Sequence, residues 1–225
     1  MLGTHTSRIV GRFISFEGTE GGGKSTQIAL LADRLRAAGH VVRLLREPGG
    51  TPLGEEIRHT LKHSPAGRGM SSEAELLLMN ASRSQLVREV IRPSLAAGEV
   101  VLCDRFADST IAYQGFGRQM GWQTVKPIID FAVDGTWPDL TLLLSLPVEI
   151  SELRRRQRAA QASTAPQDRF EGLDREFFCR VEQGFAEIAK SSPSRIKTVD
   201  ATQSVEAVAD QIWSLCKQLL NPPRS

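Results

Sequence analysis

Near the start of the chain, Phe16-Glu17-Gly18-Thr19-Glu20-Gly21-Gly22-Gly23-Lys24-Ser25 gathers four glycines, a lysine and a serine. Glycine is the costliest residue to order, so such a cluster needs either a special backbone shape or a ligand that comes very close. The spacing Gly18-x-x-x-x-Gly23-Lys24-Ser25 is that of a phosphate-binding loop. Glycines let successive backbone N–H groups curl around an anion, and a helix starting near Lys24 adds its positive dipole end. Lys24 is then placed to bridge the β- and γ-phosphates, and the Ser25 hydroxyl to ligate Mg²⁺. The loop by itself implies a nucleoside triphosphate and magnesium. It does not separate a switch GTPase, a motor ATPase and a small-molecule kinase.

Other polar clusters bear on the acceptor. Asp104-Arg105 ends an apolar run, where an acid can hold magnesium's water shell and an arginine can neutralise a phosphate in transfer. Arg46-Glu47-Pro48-Gly49-Gly50-Thr51 ends another, and its arginine, rigid proline and paired glycines suggest a second loop shaped around an anion. Arg83 lies among Leu76, Leu77, Met79 and Leu86, so it either snorkels or reaches into a pocket. Arg154-Arg155-Arg156, Arg158 and Arg169 form the densest positive cluster. They are either a solvated helix face or a lid over transferring phosphates, hinged on the segment 159–167 that is rich in Ala, Gln, Ser and Thr.

Positioning these residues takes alternating strands and helices. Phe13–Phe16, Val41–Leu45, Val100–Cys103, Leu140–Leu146 and Ile196–Val199 are apolar runs of strand length, and helical periodicities separate them. Strands this apolar, each followed by a helix, imply an α/β fold with a parallel sheet covered on both faces. Ser72-x-x-Glu75 reads as a capping box, Pro93 as a bend or end of the helix it opens, and Ser204–Leu220 as a closing amphipathic helix. The 225 residues suit one domain over 12–221, with residues 1–11 as a loose N-terminal extension. A net charge of +2 argues against a bulk nucleic-acid or membrane binder, and no apolar window reaches the length of a membrane span. Cys103, Cys179 and Cys216 are widely spaced and flanked by apolar residues, which reads as burial in a reducing cytoplasm.

From Leu102 to Gln114 the chain reads Leu-Cys-Asp-Arg-Phe-Ala-Asp-Ser-Thr-Ile-Ala-Tyr-Gln, a run that closely resembles the signature of the thymidylate kinase family. Arg46–Thr51 resembles that family's REPGGT loop, Pro138–Thr141 its strand entry, Asp168-Arg169-Phe170-Glu171 its lid end and Asp200–Gln203 its loop near adenine. The likeness spans roughly Arg12 to Leu220, with the motifs in the same order.

The resemblance implies a three-layer P-loop nucleoside monophosphate kinase fold on a five-stranded parallel sheet, with a lid near residues 150–172 and a homodimeric assembly. It implies that ATP and Mg²⁺ serve phosphorylation of dTMP to dTDP. Gly18, Thr19, Glu20, Gly21, Gly22, Gly23, Lys24, Ser25 and Thr26 would hold ATP, with Ser25 and Asp104 toward the metal. Arg105 and Arg46 would grip the acceptor's 5′-phosphate and Arg83 the thymine edge. Ser109, Thr110 and Gln114 would line the acceptor pocket, Tyr113 would crowd the sugar 2′ position, and Glu20 would face the 3′-hydroxyl. With no basic residue inside the phosphate loop, the chain resembles the bacterial type, whose lid arginines meet the transferring charge; Arg155, Arg158 and Arg169 are the candidates beside Lys24 and Arg105. Two positions depart from the family pattern: Met79 replaces the usual phenylalanine against thymine, and Ser145 replaces an acid. A kinase of another nucleoside monophosphate, or a nucleotide-binding switch, are the competing readings.

Overall fold

The computed structural model describes residues 11–67, 69–161, 169–170 and 172–220, the side chains of 158–161 excepted. All but Gly11 of the expected extension 1–11, most of the segment 159–167, Asp168, Glu171 and the Arg158 side chain therefore lie outside the described residues. Gly11 does not belong to a loose extension, because its N–H donates to Leu95 O at 3.1 Å.

Five strands, β1 (Arg12–Glu17), β2 (Val42–Arg46), β3 (Val100–Asp104), β4 (Leu140–Ser145) and β5 (Ile196–Asp200), form one sheet in the order β2-β3-β1-β4-β5. Every pairing is parallel. The period-two alternation of side chains divides the core in two. Ile14, Phe16, Val100, Leu102, Leu140, Leu142 and Leu144 pack on helices α1 (Lys24–Ala37) and α9 (Val205–Leu220). Phe13, Val101, Cys103 and Leu143 face the other layer, built from α3 (Ser72–Leu86), α6 (Trp122–Val133) and α8 (Arg175–Ser191). Burying each such side chain contributes about 1.5–3 kcal/mol, so the central strands β1, β3 and β4, covered on both faces, anchor the sheet firmly.

Register aligns the functional loops. Arg46 of β2, Asp104 of β3 and Phe16 of β1 stand side by side on one rung, so three loops leave the sheet at a common carboxyl edge. Ligands of open α/β sheets bind at this edge.

Three local expectations are corrected. The N-cap of α3 is Ser71, whose Oγ accepts from Ala74 N at 3.2 Å; Ser72 and Glu75 make no capping box, since the buried Glu75 carboxylate is taken by Gln114, Arg118 and Arg169. Pro93 does not end the helical region. A π turn at Val87–Ile91 precedes α4 (Arg92–Ala96), and its wider i→i−5 bonding, Arg92 N to Val87 O, admits the proline at the start of α4, where an amide hydrogen is least needed. Cys103 and Cys216 are buried as expected, but Cys179 is exposed, on the outward side of α8.

Candidate active site

The loop after β1 closes over the sheet edge. Gly18 has φ 128°, and a Cβ there would come within 2.3 Å of Leu144 O, so only glycine fits. Gly21 and Gly23 also take positive φ before α1 begins at Lys24. Lys24 Nζ folds back on the loop, donating to Thr19 O at 2.9 Å and Gly18 O at 3.2 Å. Burial, with the Arg105 charge alongside, pushes this ammonium down to about 7. Ser25 Oγ points at Asp104 Oδ2 across 3.4 Å, so a hydroxyl and a carboxylate converge below the loop. That donor set of hard oxygens, with room for water and phosphate oxygens, fits Mg²⁺.

Two cavities meet here. The first is lined by Glu20 to Thr26, Arg46, Arg58, Lys62, Asp104 and Arg105. The second is lined by Glu20, Met79, Arg83, Arg105, Phe106, Ser109, Thr110, Tyr113, Gln114 and Phe170, with Glu47 and Lys62 shared between the two. The expected ATP residues Gly21–Thr26 thus surround one cavity, whereas the expected acceptor residues surround the other, apart from Arg46. Glu20 and Arg105 stand in the common wall, with Arg105 Nη2 3.7 Å from Glu20 Oε1. Arg46 lines the phosphate side and donates to Glu55 Oε2 at 2.9 Å.

The second cavity takes Tyr113 and Gln114 from a second π segment, Ile111–Gly117, which follows the short helix α5 (Ala107–Thr110). Tyr113 lies 5.0 Å from the Arg105 guanidinium, and its hydroxyl is buried with no hydrogen-bond partner. Arg83 neither snorkels nor reaches out freely. It is 2% exposed, paired with Glu47 Oε2 at 2.7 Å, and donates to Asn80 Oδ1, Phe106 O and Thr110 Oγ1. Burial drives the Glu47 carboxyl up to about 7 against the pull of Arg83. Its Oε1 has no partner.

Of the candidate lid arginines, Arg155 and Arg169 can be located. Arg155 lies on α7 (Val148–Gln161), with its guanidinium 4.0 Å from the Phe178 ring. Arg169 is held by Glu75 Oε2 at 2.5 Å and Leu61 O at 3.0 Å. In this conformation neither is at the phosphate loop. Arg154 is, donating to Gly21 O at 3.1 Å and to Ala201 O at 3.2 Å, while Ser151 Oγ donates to Glu20 O at 2.6 Å. Sequence reasoning also passed over Glu17, Glu47, Lys62 and Phe170 as site residues. The one signal for Glu17 was an acid placed directly after an apolar run, and for Glu47 its place in the loop that follows another.

A glycine-rich loop after the central strand and a second cavity sharing its wall have the layout of a nucleoside monophosphate kinase of the P-loop fold. Residues 16–212 match the model of the thymidylate kinase family. The chain is 45% identical over 211 residues to a thymidylate kinase of Syntrophotalea carbinolica, covering 94% of this chain and 97% of that protein. Identity to a thymidylate kinase of Pseudomonas syringae pv. tomato is 47% over 216 residues, covering 96% and 100%. The crystal structure of thymidylate kinase from Ehrlichia chaffeensis superposes with a TM-score of 0.72 at 32% identity, over 92% of this chain and 99% of that one. The chain belongs to the thymidylate kinase family.

Proposed function

We infer that this chain transfers the γ-phosphoryl group of ATP to the 5′-phosphate of dTMP, giving dTDP and ADP. The observation that carries this reading is the shared wall: Glu20 and Arg105 line both the phosphate-loop cavity and the acceptor pocket. A nucleotide switch has no use for a second anion pocket beside the first.

A phosphate oxygen of dTMP attacks the γ-phosphorus in line. The new O–P bond forms as the bond to the β–γ bridging oxygen breaks, and the bridging electrons leave with ADP. The acceptor is already an anion, so no strong base is needed. The obstacle is bringing two polyanions together, which the positive charges of Lys24, Arg46 and Arg105 offset. Ser25 and Asp104 would hold Mg²⁺, which when bound neutralises charge on the β- and γ-phosphates.

On the acceptor side, Arg83 and Met79 would meet the base, and Ser109, Thr110 and Gln114 would line the pocket. Tyr113 would leave no room for a 2′-hydroxyl, and Glu20 would accept from the 3′-hydroxyl. Among the lid arginines, contact with Gly21 favours Arg154 as the one nearest the transferring group over Arg155 and Arg169. Residues 12–221 act as one kinase domain with a lid near 150–172, and two copies form a homodimer.

A coupled ADP-release assay over dTMP, dUMP, UMP, CMP, AMP and GMP tests the reaction. Preference for dTMP is expected; preference for another acceptor, or acceptor-independent hydrolysis, defeats it. Arg105→Ala should lower kcat/KM for dTMP by about 10²-fold, the typical cost of losing a preorganised charge stabiliser.

A further inference from the structure

Arg105 is one of three non-glycine residues among those described with positive φ, at 68°. Glycine would be the economical choice there, but glycine carries no guanidinium. A strained backbone at an active site persists only when its surroundings over-determine it. The surroundings here are specific. The Arg105 N–H donates to Phe16 O at 2.9 Å, continuing the β1–β3 ladder. The next amide, Phe106 N–H, donates to Glu17 Oε1 at 2.8 Å. Ser109 Oγ donates to Glu17 Oε2 at 2.5 Å and in turn accepts from Arg105 Nη1 at 3.2 Å. The same Nη1 donates to Gly18 O at 3.0 Å, the residue that follows Glu17.

We propose that Glu17 is a positioning residue: one fully buried carboxyl group holds the left-handed turn at Arg105 through Phe106 N–H and aims the guanidinium through Ser109. It fixes the acceptor arginine to the lead-in of the phosphate loop, so the two anion sites share one rigid support. Glu17 is 0% exposed, too deep to touch either nucleotide itself. The inference rests on the reading that Arg105 binds the acceptor's phosphate.

Calorimetric titration of the full chain with dTMP and with thymidine tests it, because thymidine fills the base pocket without presenting a phosphate. Glu17→Ala should weaken dTMP about tenfold or more, the range for losing hydrogen bonds that orient a charged group, and leave thymidine within about twofold. Glu17→Gln keeps an oxygen for Phe106 N–H and should hold dTMP affinity within about threefold of the parent. Equal weakening of both ligands by Glu17→Ala, or of neither, overturns the proposal, as does a selective loss in Glu17→Gln as large as in Glu17→Ala. If Glu17→Ala shows no cooperative unfolding, Glu17→Asp, one methylene too short to reach both donors, decides by the same two ligands. Arg105→Ala separates the premises: should it leave the preference for dTMP over thymidine intact, the reading of Arg105 is wrong and the assigned role of Glu17 falls with it. A collapse of that preference in Arg105→Ala but not in the Glu17 variants sinks the positioning role alone.

Discussion

Glu47 and Arg83 face each other in the wall of the acceptor pocket at 2.7 Å, with side chains 4% and 2% exposed. Removing one partner leaves the other as an uncompensated buried charge, which typically costs about 3–5 kcal/mol. Glu47→Ala is therefore expected to lower stability by about that amount in urea titration, with a rise in KM for dTMP because Arg83 loses its anchor. A midpoint unchanged from the parent would mean the pair is not formed in solution. Glu17 makes a prediction of another kind. Burial first, then the Asp108 charge, raises its carboxyl from the ordinary 4.5 to about 8. Between those values the folded chain holds a proton that the unfolded chain has released. The stability from this group is fully present below 4.5 and is lost as pH rises through 8. Glu17→Gln mimics the protonated form, so the variant's Tm relative to the parent should climb from pH 5 toward pH 8 and level off above it. A constant Tm difference across that window would refute the raised value. Neither acid's role was legible in the sequence, because each depends on partners far along the chain: Arg83 for Glu47, Phe106 and Ser109 for Glu17. Lys24 and Ser25 were legible, because their partners are the loop's own backbone and the adjoining strand end.

The apolar runs announced all five strands, and the structure moved their ends by no more than one residue. Helical irregularities were not announced. Of the two π segments, Val87–Ile91 and Ile111–Gly117, only the second lines the acceptor pocket, through Tyr113 and Gln114, and the wider turns of both answer to packing rather than to local propensity. The second shows how tight that packing is. A Cβ on Gly117 would lie 2.6 Å and 2.7 Å from two ring atoms of Phe177, while one on Gly184 would lie 2.9 Å from Phe116. Phe177 in turn stands 6.0 Å from the Tyr113 ring, in a T-shaped pair. Gly117→Ala should thus cost about 1–3 kcal/mol by overpacking, read from thermal unfolding, and the displaced Phe177 should push on Tyr113 and raise KM for dTMP more than KM for ATP. An alanine variant with the parent's Tm would show that α8 and the π segment can separate at little cost.

Sheet order was beyond the sequence, since no local pattern says that β3 inserts between β2 and β1. The neighbouring helices α2 (Pro52–Lys62), α3 and α6 each expose a large apolar side chain: Leu53 at 53%, Leu77 at 57% and Phe131 at 79%. Singly these are ordinary, but on three packed helices they are what a homodimer face would present. A stable face of this kind buries on the order of 1,600 Å² in total and excludes unpaired charge from its centre. Leu77→Glu is accordingly expected to convert a dimer to a monomer in sedimentation velocity at micromolar concentration. Because Leu77 is exposed within one copy, the monomer's own stability should change by no more than about 0.5 kcal/mol. Retention of the dimer in Leu77→Glu would move the interface elsewhere, and a monomeric parent would remove it. If the variant dissociates and keeps its kcat, the acceptor pocket is complete within one chain, as the lining of both cavities by a single copy requires.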